Sequence, residues 1–406
     1  MTETNFIDFP TEIVEEGRVK ILVPRLEAFK KLPSDYAPSK APVFYNPVME
    51  LNRDIAVLAL QAYQKLVNRE ISVCEPLASC GIRGIRFAKE VKDVQKVLIN
   101  DINEKASQLA RYNVQMNGLS KQVTVKNGDA NFLLANYGAP RKRFDAIDID
   151  PFGSPVPYLD SAIRAIRNGG LLALTATDMA PLCGVHPKAC IRKYGGKPLR
   201  TEYCHELAVR LLAGCLAITA AKQDIGINVV FSHSTNHYIR IYATIKYGAK
   251  KADESIKNMG YILHCFKCFH RETLNKPLLV ADSEKCSECG SKMNVAGPLW
   301  LAKIVDRKFC ELIGEGLRQR SFRFKGRIEK ILALIAGETE APVTYYVVDK
   351  LCDALSLPVP PVKKVVNALE KEGFPAFFTH FNHKGVRSNL PAMKMKEILR
   401  EMLSAN

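Results

Sequence analysis

The sequence has no uninterrupted apolar run long enough to cross a bilayer, and its opening, MTETNFIDFPTEIVEEGRVKILVP, carries acidic side chains and no apolar stretch of signal-peptide length. Those absences predict a cytosolic chain rather than a helical membrane protein. No long basic amphipathic helix suggests binding to a membrane surface. There is no internal repeat and no low-complexity tract, and LPVPPV reads as a loop entering a helix. Negative charge is the scarcer sign: 42 Asp and Glu stand against 58 Lys and Arg, a formal charge of +16. That balance favours a polyanionic partner, nucleic acid first, through phosphate neutralisation and counterion release. It also serves solubility, and charge alone does not separate the two. The 12 cysteines lack the pattern of a small secreted scaffold: eight are scattered singly and four form two close pairs, which suits a reducing compartment and a metal. A chain of 406 residues with 47% hydrophobic side chains exceeds one ordinary core, so two or three domains are expected.

Between Ile71 and about Lys246, β-rich runs alternate with helical patterns, as in a parallel sheet covered by helices. Strands are expected at ISVCEP, KVLIND, VTVKNGD, FDAIDID, GLLALTAT, INVVFSH and YIRIYATIK. Helices are expected at GIRGIRFAKEV, EKASQLARYNVQMNG and VPYLDSAIRAIRNG, the last two ending at glycine. Only STNH separates the final two strands, so they should pair antiparallel. The fold class expected is α/β, a seven-stranded Rossmann-like sheet of the class I methyltransferase kind. A Cys-paired segment follows, then a basic stretch, RQRSFRFKGRIEK, that reads as a linker. Last come a helix at YYVVDKLCDALS, a helix at PPVKKVVNALEKEGF, and FFTHFN and GVRSN around a turn, a winged-helix-like α+β order. The expected division is 1–260, the sheet domain with its N-terminal extension, 261–300, the Cys-paired segment, and 301–406, a winged-helix-like domain that suits nucleic acid.

The first strand runs into EPLASCGIRGIR, where Gly81 and Gly84 allow a tight turn onto a helix N-terminus. Without a strict G-x-G-x-x-G, packing explains those glycines as readily as a ligand does. Asp101 closes the second strand, where a carboxylate accepts ribose hydroxyls or caps a helix. Asp129 and Ala130 end the third, at the height of an adenine, although such an Asp also makes Asx turns. The sharpest feature is DIDPFGSP at the end of the fourth strand. Asp150 precedes Pro151, which biases it away from helix, and Phe152 offers a flat face. An exocyclic base amine is a poor nucleophile because its lone pair is delocalised into the ring. A carboxylate accepting its N–H restores nucleophilicity while an aromatic ring holds the extruded base.

FYNPVMELNRD, GIRGIRFAKE, DIDPFGSP, TATDMAPLCGVHP, CIRKYGGKPLR and HELAVRLL together resemble the tRNA guanine-26 N2-dimethyltransferases of archaea and eukaryotes, from about Phe44 to the C-terminal THFNHKGVRSN. The resemblance implies S-adenosylmethionine-dependent dimethylation of guanine N2 in tRNA. It also implies Asp150 as catalytic carboxylate, with Phe152 and Phe44 stacking on the guanine. Arg53 and Arg83 would contact S-adenosylmethionine, Asp101 its ribose, and Asp129 and Ala130 its adenine. From spacing alone, Arg53 and Arg83 are ordinary salt-bridge arginines. Alternatives are a guanine N2-methyltransferase acting elsewhere in tRNA, an adenine N6-methyltransferase, and an RNA-binding protein on a disabled methyltransferase fold. A dehydrogenase explains the acidic ribose contact but not Asp-Pro-Phe-Gly.

Cys265, Cys268, Cys286 and Cys289 form C-x2-C-x17-C-x2-C, two knuckles suited to a structural Zn2+ with no open position for substrate. Lys188, Arg192, Lys193, Lys197 and Arg200, and then Arg318, Arg320, Arg323, Lys325 and Arg327 interleaved with Phe322 and Phe324, are either phosphate-tracking or solvated faces. The partner expected is tRNA, with no membrane and no obligatory protein partner.

Overall fold

The computed structural model describes residues 7–30, 32, 37–276 and 285–404. The chain opens with a hairpin, β1 (Thr11–Glu16) and β2 (Val19–Pro24), which turns at Gly17 in a left-handed conformation. Next come α1 (Glu50–Val67), β3 (Ile71–Glu75), α2 (Ile82–Glu90), β4 (Val94–Asp101), α3 (Glu104–Met116), β5 (Val123–Asn127), α4 (Ala130–Asn136), β6 (Phe144–Ile149), α5 (Leu159–Ala165) and β7 (Ile166–Ala176). After these lie α6 (Met179–Leu182), α7 (Pro187–Tyr194), α8 (Cys204–Ala221), β8 (Ile225–Thr235), β9 (Tyr238–Tyr247) and α9 (Ala249–Ile256). The strands β10 (Met259–His264), β11 (Arg271–Leu274) and β12 (Asn294–Trp300) form a small sheet, and α10 (Arg307–Arg318) and α11 (Lys325–Gly337) follow it. The last elements are β13 (Tyr346–Val347), α12 (Val348–Leu355), α13 (Val362–Lys371), β14 (Phe377–Phe378), β15 (Gly385–Arg387) and α14 (Ala392–Ser404).

Seven strands form one sheet in the order β5-β4-β3-β6-β7-β9-β8. Pairing is parallel for β5/β4, β4/β3, β3/β6 and β6/β7, and antiparallel for β8/β9 across the short STNH link. This is the class I methyltransferase sheet. Every residue of β6 is buried, as in a strand covered on both faces, including its two aspartates, Asp145 and Asp148. Order reverses between β3 and β6, so the crevice at their carboxyl ends is the topological switch point where such sheets bind ligands.

Compact packing divides the chain into two units. One comprises Met1–Pro151, Pro157–Leu174 and Glu311–Glu329. Its interior holds a charged cluster: Arg86, with no exposed surface, reaches Glu90, Glu16 and Asp54, each at 2.7 Å, and the Phe322 ring lies 5.3 Å from its guanidinium carbon. Burying such charges costs several kcal/mol apiece unless every polar atom is matched, which this arrangement largely achieves. The other unit comprises Phe152–Val156, Thr175–Cys310 and Lys330–Asn406. It contains the small sheet, the C-terminal winged-helix-like elements with sheet order β13-β15-β14, and α8. Among the described helices α8 is long and apolar enough to cross a membrane, but most of it is buried, and Glu206 and Arg210 pair within it at 2.8 Å. It is a core helix.

Three expectations are corrected. The helix predicted to reach Gly169 stops at Ala165, because Ile166 enters the sheet opposite Phe144; Gly169, at φ +80°, lies where the β6/β7 register shifts rather than at a helix end. The helix predicted from Tyr345 begins at Val348, since Tyr346 and Val347 pair with Val386 and Gly385. The basic linker is mostly helix: α10 and α11 take all but a short link, in which Phe322 is buried and Arg320 donates to Glu90 O at 2.8 Å.

Candidate active site

At the switch point, β3 ends in Glu75 and β6 leads to Asp148 and Asp150. Arg83, one residue into α2 and 4% exposed, stands among these carboxylates. Its Nη2 donates to Asp150 Oδ2, its Nε lies 3.3 Å from Glu75 Oε1, and its Nη1 lies 3.6 Å from Asp148 Oδ2. That last nitrogen is buried with no hydrogen-bond partner, so the cluster holds one unspent donor. Burial pushes the Glu75 carboxyl up to about 8; Arg83 opposes the shift, Asp148 adds to it and the Gly84 N–H, at 2.8 Å, opposes it again. Gly84 is needed for packing: a Cβ there would lie 2.3 Å from Ile99 Cγ2. Gly81, at φ +81°, turns the chain onto α2.

The neighbouring strand ends hold the other candidates. Asp101 Oδ2 accepts from Ser79 N at 2.8 Å and Oδ1 from Asn103 N at 2.9 Å, so its carboxylate braces the β3–α2 loop, while the cap of α3 is Asn103. Burial raises the Asp101 pKa. Asn113 ties the same loop down by donating to Cys80 O and Leu22 O, both at 3.0 Å. Asp129 caps α4, accepting from Phe132 N at 2.8 Å, and Ala130 is the buried first residue of that helix. Phe44 is half-buried, and its carbonyl accepts from Ser79 Oγ at 2.6 Å. Arg53 is held by Glu16, with Nε to Oε1 at 2.7 Å, and by the Asn46 carbonyl at 3.2 Å, below the Tyr45 ring. Arg83, Asp148, Asp150 and Glu75 therefore converge, whereas Arg53 is committed to a separate ion pair. Two residues absent from the sequence reading stand out beside Asp101 and Asp129: Ile102, 69% exposed, and Phe132, 72% exposed. An apolar residue straight after the strand-terminal Asp101 is a signal that could have found Ile102, whereas Phe132, in the first turn of α4, carries none.

Phe152, two residues beyond Asp150 in the chain, is 75% exposed. Its loop is anchored by Gly153, at φ +79°, whose N–H donates to Thr177 Oγ1 at 2.7 Å while Thr177 N donates to Gly153 O at 2.9 Å. Asp178 next to it accepts from Tyr194 OH at 2.5 Å and Lys193 Nζ at 3.1 Å, which fixes the end of β7 on α7. Burial raises the Tyr194 phenol pKa, with Asp178 adding to the shift.

The sequence profile of the N2,N2-dimethylguanosine tRNA methyltransferase family matches residues 17–400. The chain belongs to this family. A Methanobrevibacter smithii protein named tRNA (guanine(26)-N(2))-dimethyltransferase is 44% identical, over 98% of this chain and 100% of its own. An Aquifex aeolicus relative, named for guanine 26 and guanine 27, is 38% identical over 96% of this chain and 95% of its own. The solved structure of Trm1 from Pyrococcus horikoshii in complex with S-adenosyl-L-methionine superposes with a TM-score of 0.84 at 35% identity, covering 95% of this chain and 99% of that one.

In this family member the four paired cysteines converge. Their sulfur atoms lie within 4.8 Å of one another, with Cys265–Cys289 and Cys268–Cys286 each 3.5 Å apart. A tetrahedral zinc with bonds of about 2.3 Å separates its thiolates by about 3.8 Å, so the donor set fits. The knuckles are built alike: Phe269 N donates to Cys265 O at 2.8 Å and Gly290 N to Cys286 O at 2.9 Å, with φ +69° and +68°. Glycine suits that conformation. Phenylalanine does not, and Phe269 instead packs against the C-terminal core with Lys396 5.4 Å from its ring.

Proposed function

We propose that this chain transfers methyl groups from S-adenosylmethionine to the N2 amine of guanine 26 in tRNA, twice, to give the dimethylated base. The observation that carries this reading is the near full-length likeness to tRNA (guanine(26)-N(2))-dimethyltransferases. When bound, S-adenosylmethionine supplies an electrophilic methyl group. Arg83, with its unspent donor, and Arg53 are assigned to the cofactor, Asp101 to its ribose, and Asp129 and Ala130 to its adenine. Asp150, oriented by Arg83, would accept an N–H of the guanine amine, localise the nitrogen lone pair and take the proton released as the N–C bond forms and the methyl's bond to the cofactor sulfur breaks, its electron pair staying on sulfur. The remaining N–H then serves a second round. Phe152 and Phe44 are assigned to stacking on the extruded base.

Cys265, Cys268, Cys286 and Cys289 are assigned one zinc ion that organises the small sheet, and tRNA is the macromolecular partner. Nucleoside mass spectrometry of unmodified tRNA incubated with the chain and labelled S-adenosylmethionine, followed by mapping of the label, tests the activity. Dimethylguanosine at position 26 is expected. Label confined to adenine, or to guanines outside 26 and its neighbour 27, would refute the reading.

A further inference from the structure

We propose that Cys183, Cys204 and His205 form a second metal site, one that takes a thiophilic divalent cation, zinc first, and leaves a coordination position open. Their three ligand atoms lie within 4.8 Å of one another, on half-buried side chains. Small side-chain rotations close that spacing to the roughly 3.5–3.8 Å edge of a tetrahedral zinc site. A backbone contact brings the residues together. Gly184 adopts φ +83°, and a Cβ there would lie 2.7 Å from Arg200 N and 2.8 Å from Leu199 C. The chain leaving α6 is therefore laid directly on the segment that leads into α8.

Cys183 is fixed at the end of α6, its N–H donating to Met179 O at 2.7 Å. Cys204 and His205 are the first two residues of α8, and the residue before them, Tyr203, offers no side-chain cap. A thiolate at that position sits in the positive end of an 18-residue helix. Two thiolates and an imidazole are a borderline-soft set that favours zinc over the hard, oxygen-seeking cations. Three protein ligands with partial exposure also differ in kind from the closed four-thiol centre, so this metal should exchange the faster of the two. Bound there, it ties the ends of a segment that carries α7 with Lys188, Arg192, Lys193, Lys197 and Arg200.

The test is zinc stoichiometry of the full chain, loaded under reducing conditions, dialysed, and measured by elemental mass spectrometry. Wild type should hold one equivalent more than Cys183→Ser or His205→Ala. Cys286→Ser should lose a different equivalent and keep this one, so failure at either centre is read separately. Brief EDTA treatment of wild type should accelerate hydrogen exchange across residues 184–203. Equal zinc counts in wild type and Cys183→Ser would overturn the proposal. So would a Cys183–Cys204 disulfide in the isolated chain whose reduction is followed by no zinc uptake. Should the triad variants fail to fold, cobalt titration of Cys286→Ser decides, because no thiolate-to-cobalt band there means no metal at the triad.

Discussion

Asp150 and Glu75 are both carboxylates facing Arg83, and their surroundings assign them different work. Asp150 follows the strand, keeps some exposure and takes the charge-assisted bond from Arg83 Nη2, so Asp150→Ala should lower single-turnover methyl transfer by roughly 10²–10⁴-fold while cofactor binding persists. Unchanged single-turnover rates would remove Asp150 from the chemistry. Glu75 ends the strand itself and is fully enclosed, which pushes its carboxyl up from 4.5 to about 8. The native state then holds a proton that the unfolded chain has released between those values, so stability falls as pH rises across that window. Asp54, pushed up to about 6 by burial against the pull of Arg86, contributes with the same sign. Glu75→Gln should flatten the fall by about one proton's worth of slope, read as denaturant midpoints across pH. The places of Asp101, Asp129 and Asp150 just at or beyond strand ends were legible in the sequence because each follows a β-rich run beside turn chemistry. The partnership of Glu75 and Asp148 with Arg83 was not, since it depends on how β3, β6 and α2 meet rather than on any local spacing.

The existence of the sheet strands and of the helices between them was legible, although two helix ends were not, because burial on one or two faces leaves a periodic trace. Helix α8 was missed for the opposite reason: it is buried nearly all round, so little amphipathic period marks it. Its one acidic anchor is informative. Burial works to raise the Glu206 pKa, but Arg387 and Arg210 outweigh it and bring the carboxyl down to about 2. Arg387 on β15 reaches Glu206 at 3.0 Å and Glu338 at 2.9 Å. Arg387→Ala would take one cation from two buried carboxylates, leaving Glu206 to Arg210 and Glu338 to His380, and a loss of up to roughly 3–5 kcal/mol is expected in the unfolding transition that includes α8. Arg387→Lys should recover only part, having no planar fork to span both partners. The small sheet makes a parallel case. Its cysteine spacing was legible, whereas the strained Phe269 at a position that suits glycine was not, because the compensation comes from the C-terminal core. Cys286→Ser should release one zinc and lower the melting temperature of the small sheet and of the winged-helix-like elements together; loss confined to the metal, with melting unchanged, would leave that zinc without a structural role.

Taken over the whole chain, the excess of 58 basic over 42 acidic residues implies that tRNA affinity depends steeply on salt. If six or more phosphates are contacted, a drop of roughly 10³-fold or more is expected between 50 and 200 mM salt in filter binding. A shallow slope would assign the charge to solubility. Truncation is a poor probe of where the grip lies: a cut before Ser321 removes Phe322, which covers the buried Arg86, and so disturbs the unit that carries Asp150. Charge reversal at exposed positions such as Lys188 tests the grip without that damage. The covering of Arg86 also carries a consequence for biosynthesis. Glu16 and Asp54 leave the ribosome early, whereas Phe322 follows some 300 residues later, so a nascent chain must hold an unfinished charged interior through most of its translation. The first unit to begin emerging is thus among the last to close, its packing completed only when residues 311–329 arrive.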